Sequence, residues 1–215
     1  ETFSSLNTVQ ELLLDFSGIE YKDQDNLKLQ SYLPINATFL SGLKKLSINL
    51  EGFVKITVEA LSIIGSFLKE CRSLKSLDLN LGYIHLTNDQ LSEIIEPISS
   101  LLDLEELSLD LEWSISTFDS LPHLFKGLQN LKTLSLILSN CFNLTDDPFK
   151  NIAEGLLCLT KLTNLRLDLA CCLSVTNIGI KALSERLSQM KLQYLHINLN
   201  ACDAITDEGM AALIM

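Results

Sequence analysis

The sequence predicts an α/β solenoid: a right-handed horseshoe with a parallel sheet of about seven strands on its concave side and helices on its convex side. A first observation is the frame L-x-x-L-x-L-x-L, written in full by Leu162, Leu165, Leu167 and Leu169. It recurs with starts at 9, 43, 74, 104, 131, 162 and 192, giving spacings of 34, 31, 30, 27, 31 and 30 residues. Periods of that size mark solenoid arrays. The second observation is that the last three apolar positions alternate with period two, so they share one face of a short strand. A third is that apolar residues at helical spacing follow the frames from Leu43 onward. Strand, then helix, then strand joins parallel strands and buries the leucines between two layers.

Length alone allows one or two domains, and the repeat decides for one spanning 1–215, since no Gly/Ser/Pro-rich linker interrupts it. Hydrophobic residues make up 47% of the chain, enough for a large core. Acidic residues outnumber basic ones 27 to 16, for a formal charge of −11. Nucleic acid and anionic membranes need a basic surface, so the expected partner is a basic or neutral protein, with no nucleic acid and no membrane. No run reaches the ~20 apolar residues of a membrane span, and no signal or transit peptide is visible. The chain begins at Glu1 and reads as a fragment of a longer protein.

Six cysteines, Cys71, Cys141, Cys158, Cys171, Cys172 and Cys202, include no C-x-x-C pair. Cys141, Cys172 and Cys202 each stand ten residues after a repeat start, as packing residues do. Buried reduced thiols and an intracellular setting, cytoplasmic or nuclear, are expected, with no disulfide, metal or cofactor. The sequons at Asn36 and Asn143 point the other way and are discounted as chance triplets.

Taken in order, residues 1–8, with Phe3 and Leu6, are expected to cover the edge of the first strand. That strand comes from a degenerate copy, Val9-Leu12-Leu14-Phe16. Residues 17–42 form the longest connection. Gly18, Asp23, Asp25, Asn26 and Pro34 break it into turns, with room for a short helix near 25–33 or 36–42. After a strand at 45–51, Ala60, Leu61, Ile64, Phe67 and Leu68 mark a helix over 57–70. After a strand at 76–82, Thr87 and Gln90 form a capping box for a helix running through 102, which Pro97 should kink or divide. The unit at 104 carries a helix over 117–127 with Pro122 early in it. Thr145 caps the next helix, and Pro148 stands in its first turn, where a missing N–H costs nothing. Thr176 begins a helix carrying Ile180, Leu183 and Leu187, and Thr206 begins the last one, over 206–214.

Three loops sharpen the pattern: Cys141-Phe-Asn-Leu-Thr-Asp146, Cys172-Leu-Ser-Val-Thr-Asn177 and Cys202-Asp-Ala-Ile-Thr-Asp207. With the ~30-residue period, they make the chain resemble leucine-rich repeat proteins of the ribonuclease-inhibitor-like class, and within it the cysteine-containing subclass. In that resemblance Cys and the aliphatic residue fill the turn under the strand and Thr caps the helix. The chain departs from the subclass in two ways. Its strand carries an extra apolar–polar dyad, which implies a slightly wider sheet. The earlier units place Phe53, Ile84 and Ser114 where the later ones have Cys.

Strand residues between the leucines point away from the core, onto the concave face. The third such column, Asp15, Asn49, Asn80, Asp110, Ile137, Asp168 and Asn198, is a ladder of Asp and Asn broken once. It reads either as a binding surface or as short polar side chains suited to a crowded face. Eight acids stand on the concave columns against two bases, Lys45 and Arg166. The predicted partner-binding residues are Asp15, Asn49, Asp78, Asn80, Glu106, Asp110, Glu112, Asn164, Arg166, Asp168, Tyr194, His196 and Asn198. Tyr194, Arg166 and His196 lie on adjacent strands and are of the types that carry interface energy, which makes them the expected hot spot. His196, Asp168 and Ser135 invite a triad reading, but an open sheet lacks the pocket and oxyanion donors that a triad needs.

The resulting expectation is a non-catalytic protein-interaction module. Alternatives implied by the resemblance are the substrate-recognition repeats of an F-box-type ubiquitin ligase and a GTPase-activating-type regulator. Leu195, Ile197 and Leu199 form a last strand with no polar cap after it. Further repeats, a cap or end-to-end association with another chain are therefore expected there.

Overall fold

The computed structural model describes residues 8–17, 33, 38–53 and 56–214. Seven strands of five residues form one sheet: β1 Glu11–Asp15, β2 Lys45–Asn49, β3 Ser76–Asn80, β4 Glu106–Asp110, β5 Thr133–Ile137, β6 Asn164–Asp168 and β7 Tyr194–Asn198. Their order in the sheet is their order in the chain, and every pair is parallel. Register never slips. Leu46, Leu77, Leu107, Leu134, Leu165 and Leu195 stand side by side, as do Ile48, Leu79, Leu109, Leu136, Leu167 and Ile197. A one-residue shift would turn every leucine to solvent, so the frame itself fixes the register.

Helices α1 Val58–Glu70, α2 Asn88–Ser99, α3 Leu121–Gly127, α4 Asp146–Leu156, α5 Asn177–Leu187 and α6 Asp207–Ile214 follow β2 to β7 in turn. Each packs on the next. Strands pair at ~4.8 Å and helices at ~8–10 Å, so the two layers share a period only if the array curves with the sheet inside. Between the layers lie the leucines and the large rings Phe67, Phe118, Phe125 and Phe149, all buried. This is a leucine-rich-repeat-type solenoid.

Three ladders run along it. Nine residues after each repeat start from 43 onward the backbone turns left-handed, at Gly52, Tyr83, Trp113, Asn140, Cys171 and Ala201. One residue on, the side chain is driven inward. There the thiols of Cys141, Cys172 and Cys202 donate to the carbonyls of Leu111, Leu138 and Leu169 one repeat earlier. Burial pushes the Cys71 and Cys172 thiols up to about 12, and raises Cys141 and Cys202 as well. Ser114 fills the same slot, but its buried hydroxyl finds no partner among the described residues. The third ladder links helix starts. Asp146 accepts from the Thr176 amide (2.8 Å), the Thr176 hydroxyl (2.7 Å) and the Gly179 amide (3.0 Å). Asn177 bonds Thr206, and Asn88 bonds Thr117, in the same way.

Several sequence expectations need correction. The helix expected over 117–127 begins only at Leu121, because Phe118 takes a left-handed backbone (φ 61°) and Thr117 is bound by Asn88. Pro97 does not divide its helix. It lies in the last turn, buried against Gly65 of α1, and α2 stops at Ser99 rather than 102. Thr145 makes no side-chain capping bond, since Pro148 supplies no N–H at the third helical position. Strands end at Asn49 and Asn80, not 51 and 82, although parallel bonds such as Gly52 N–H to the Gly82 carbonyl carry the pairing onward. The extra dyad thus lengthens the paired turn rather than the strand. A 3-10 helix covers Thr38–Gly42. The alternative near 25–33 and the edge cover at 1–7 lie outside the described residues apart from Leu33, which is buried.

Candidate functional site

The predicted concave residues other than Glu112 lie in the strands, in columns across the parallel register, and Glu112 lies in the turn after β4. The structure separates their roles. The Asp/Asn ladder is first a set of turn caps. Asp15, Asn49, Asn80, Asp110, Asp168 and Asn198 each use Oδ1 to accept the backbone N–H two residues on, at 2.9–3.2 Å. Those bonds close the turn after each strand. Ile137 has no oxygen to do this, yet Asn140 takes the same left-handed turn position as its counterparts. Both oxygens of Asp168 are also within 3.0 Å of Asn198 Nδ2. Turn capping thus occupies Oδ1 of these six residues, and the amide nitrogens of Asn80 and Asn198 reach across to Glu51 and Asp168.

Electrostatics divide the sheet by rim. On the N-terminal rim Glu105 lies 3.2 Å from Lys75 and 2.5 Å from Lys132, and these lysines hold its carboxyl below the usual range. On the C-terminal rim Glu51, Asp110 and Glu112 have no ion pair among the described residues. Burial, then the neighbouring Glu112, Glu51 and Asp168 carboxylates, push Asp110 up to about 6 despite the Glu112 amide that it accepts. Glu106 accepts from the Ser76 hydroxyl and Asp78 from Ser47. A depression of ≈ 280 Å³ lies over the first five strands, lined by Asp15, Asn49, Asp78, Asn80 and Asp110 beside Leu13 and Ile137.

The expected hot spot lies at the other end. Arg166 stands directly across from His196, and Asn164 across from Tyr194. Tyr194, Arg166 and His196 are exposed. Arg166 Nη2 approaches Asp168 Oδ2 at 3.7 Å. Register places Ser135, Arg166 and His196 in one column with Arg166 in the middle, while Asp168 belongs to the next column and is engaged by Asn198. No serine–histidine–aspartate relay is formed. Among the described residues no group of three His, Cys, Asp or Glu side chains is placed to hold a metal ion. No described helix is long and apolar enough to cross a membrane.

Sequence reasoning missed the rings in the turns that follow the strands. Tyr83, His85, Trp113 and Phe142 form a row along the C-terminal rim. The signal was present, since Tyr83 and Trp113 share one repeat position and His85 and Phe142 another, but these positions lie beyond the leucine frame.

No family model and no curated protein sequence matches the chain. Among solved structures, a tropomodulin C-terminal domain from Caenorhabditis elegans is similar over 78% of this chain and 81% of its own, at 10% identity and a TM-score of 0.41. A chain of the yeast Rad7–Elc1 complex matches 80% of this chain and 60% of its own, at 16% identity and a TM-score of 0.33. β-Methylaspartase from Clostridium tetanomorphum covers 97% of this chain and 57% of its own, at 11% identity and a TM-score of 0.28. Likenesses at this level carry no weight for function. The fold rests on the register and packing given above.

Proposed function

We propose that the chain is a non-catalytic protein-interaction module that binds a basic or neutral protein partner on its concave face. The observation that carries this is the sheet face itself. It is polar, mostly acidic and uncovered, and its columns are held straight by backbone pairing and turn caps. A rigid face of that kind suits recognition rather than chemistry. Tyr194, Arg166 and His196 are the proposed hot spot at one end, and the acid-lined depression the steering surface at the other. The thiol-to-carbonyl ladder supports placing the chain in the cysteine-containing subclass of ribonuclease-inhibitor-like repeats, and the buried thiols of Cys71, Cys141, Cys172 and Cys202 support an intracellular setting, although Cys158 and Cys171, expected buried, are half-buried.

The test is purification of the partner followed by affinity measurements at low and high salt. Tyr194→Ala and Arg166→Ala are each expected to weaken binding by about 1–2 kcal/mol, and added salt to weaken it further. Full affinity in both variants, with the contact mapped to the helices, would place the site elsewhere.

The β7 end is proposed to associate with a second copy of the chain. Leu195 is 46% exposed where its register partner Leu165 is 0%, and Met210 and Ile214 of the last helix are exposed as well. The sheet ladder also continues naturally from this unpaired edge. Sedimentation should show a concentration-dependent mass that Leu195→Lys abolishes. A monomer at every concentration would rule the association out.

A further inference from the structure

The rim at the C-terminal ends of the strands carries rings that the core does not use. Tyr83 and Trp113 hold the left-handed turn position in successive repeats, with φ of 61° and 62°, where Gly52 stands one repeat earlier. Bulky residues are strained in that conformation and glycine is not. Their rings stack with centroids 6.2 Å apart. Phe142 meets Trp113 edge-on at 5.4 Å, and His85 meets it at 6.3 Å. Tyr83 is 41% and Phe142 47% exposed, and Ile115 and Leu173 extend the apolar row along the rim. Such a contiguous patch is uncommon on a surface that meets only water.

Glu112 immediately precedes Trp113, in the concave column beside the row. Its Oε1 accepts from Asn140 Nδ2 at 2.9 Å and from the Tyr83 hydroxyl at 3.4 Å. Both donors are neutral, and no base pairs with it or with Glu51 among the described residues. Ring faces and an unpaired carboxylate select the same ligand chemistry, a cation on an apolar stem. Arginine fits best, because its planar guanidinium stacks on a ring and forks onto a carboxylate.

We propose that the rim of Tyr83, Trp113, Phe142 and Glu112 receives an arginine side chain from an extended basic segment of the protein partner. The inference rests on the concave-face reading and adds an anchor at its edge. Charge complementarity supports that occupant: the chain carries −11 overall, and the columns leading to the rim hold eight acids against two bases. A neutral sugar would also stack on the rings and donate hydroxyls to Glu112, but it brings no charge to offset the neighbouring carboxylates, whereas a guanidinium does.

Trp113 is the chain's single tryptophan, so its fluorescence reports on this site alone. The experiment titrates the 215-residue protein with blocked peptides of alternating arginine and glycine, lysine and glycine, or glutamate and glycine, and with a neutral oligosaccharide. Backbone amide shifts are recorded in parallel. Expected is a saturable emission change with the arginine peptide, smaller with the lysine peptide and suppressed by salt. Glu112→Gln and Phe142→Ala are each expected to weaken it about tenfold while their thermal melts stay close to the parent's. The inference is overturned by a flat response to both basic peptides, by an equal response to the glutamate peptide, or by a response to the oligosaccharide alone. Shifts at Tyr194, Arg166 and His196 with unchanged Trp113 emission would overturn the rim anchor while the concave-face reading stands. Shifts at neither place would remove both.

Discussion

Asp110→Asn is expected to stabilise the protein at pH 7.5 and to leave its stability unchanged near pH 4. Asp110 sits in the third concave column, half-buried, with Glu112, Glu51 and Asp168 as its charged neighbours. Burial first, and those carboxylates next, push it up to about 6 from an ordinary 3.8. The folded state therefore favours the protonated acid. That preference contributes stability fully below the unfolded value of 3.8 and loses it as pH rises through about 6. Above pH 6 the fold carries a carboxylate that it disfavours. The preference corresponds to about 1–2 kcal/mol once solvent screening at a partly exposed site is allowed for. Asparagine removes the charge but keeps the Oδ1 that accepts the Glu112 amide at 2.9 Å, so the turn is retained. Thermal melts of parent and variant from pH 4 to 8 check this. A difference independent of pH, or a loss of stability at pH 7.5, would contradict it.

The residues that were legible in the sequence are those whose role repeats with a period. The leucine frame gave strand number, order and register, because a parallel sheet built from identical units has one register in which all the leucines are buried. Thr87 with Gln90 announced its capping box, which the structure contains. The reading failed where a unit departs from the period. The unit at 104 has a short connection, and there Phe118 turns left-handed and shortens the helix. At Asp110 the sequence showed an acid in a column of acids, but not its burial, which depends on how tightly Gly82 and the flanking strands pack around it. The rim rings were missed for a related reason. A residue in a left-handed turn projects its side chain along the rim, and neither alternation nor helical spacing reports that direction. The T-(D/N) pair was read only as a cap for its own helix, whereas its Asp or Asn serves the next repeat.

That last relation carries the other large effect. Asp146→Ala is expected to cost about 2–4 kcal/mol, as three hydrogen bonds to an ionised acceptor are lost together and two amides at the start of α5 are left without it. The carboxylate also lies at a helix N-terminus, where negative charge is favoured. Because each repeat is held only by its neighbours, the damage should be polar along the solenoid. Amides of α5, β7 and α6 should lose hydrogen-exchange protection while those of β2 to β4 keep theirs. Asp146→Asn should cost much less, since Asn177 already plays the part for Thr206 with Oδ1 on the amide (2.9 Å) and Nδ2 on the hydroxyl (2.8 Å). Gly179 supplies an independent check with opposite expectations. Intrinsic propensity alone would make Gly179→Ala stabilising by about 1 kcal/mol in a helix. Here an added Cβ would stand 2.6 Å from Asp146 Oδ1 and 3.0 Å from a ring carbon of Phe149. The substitution must push the cap away, so it should destabilise. A gain in melting temperature for Gly179→Ala, or uniform loss of protection along the whole sheet in Asp146→Ala, would show that this bond does not hold the last repeats in place.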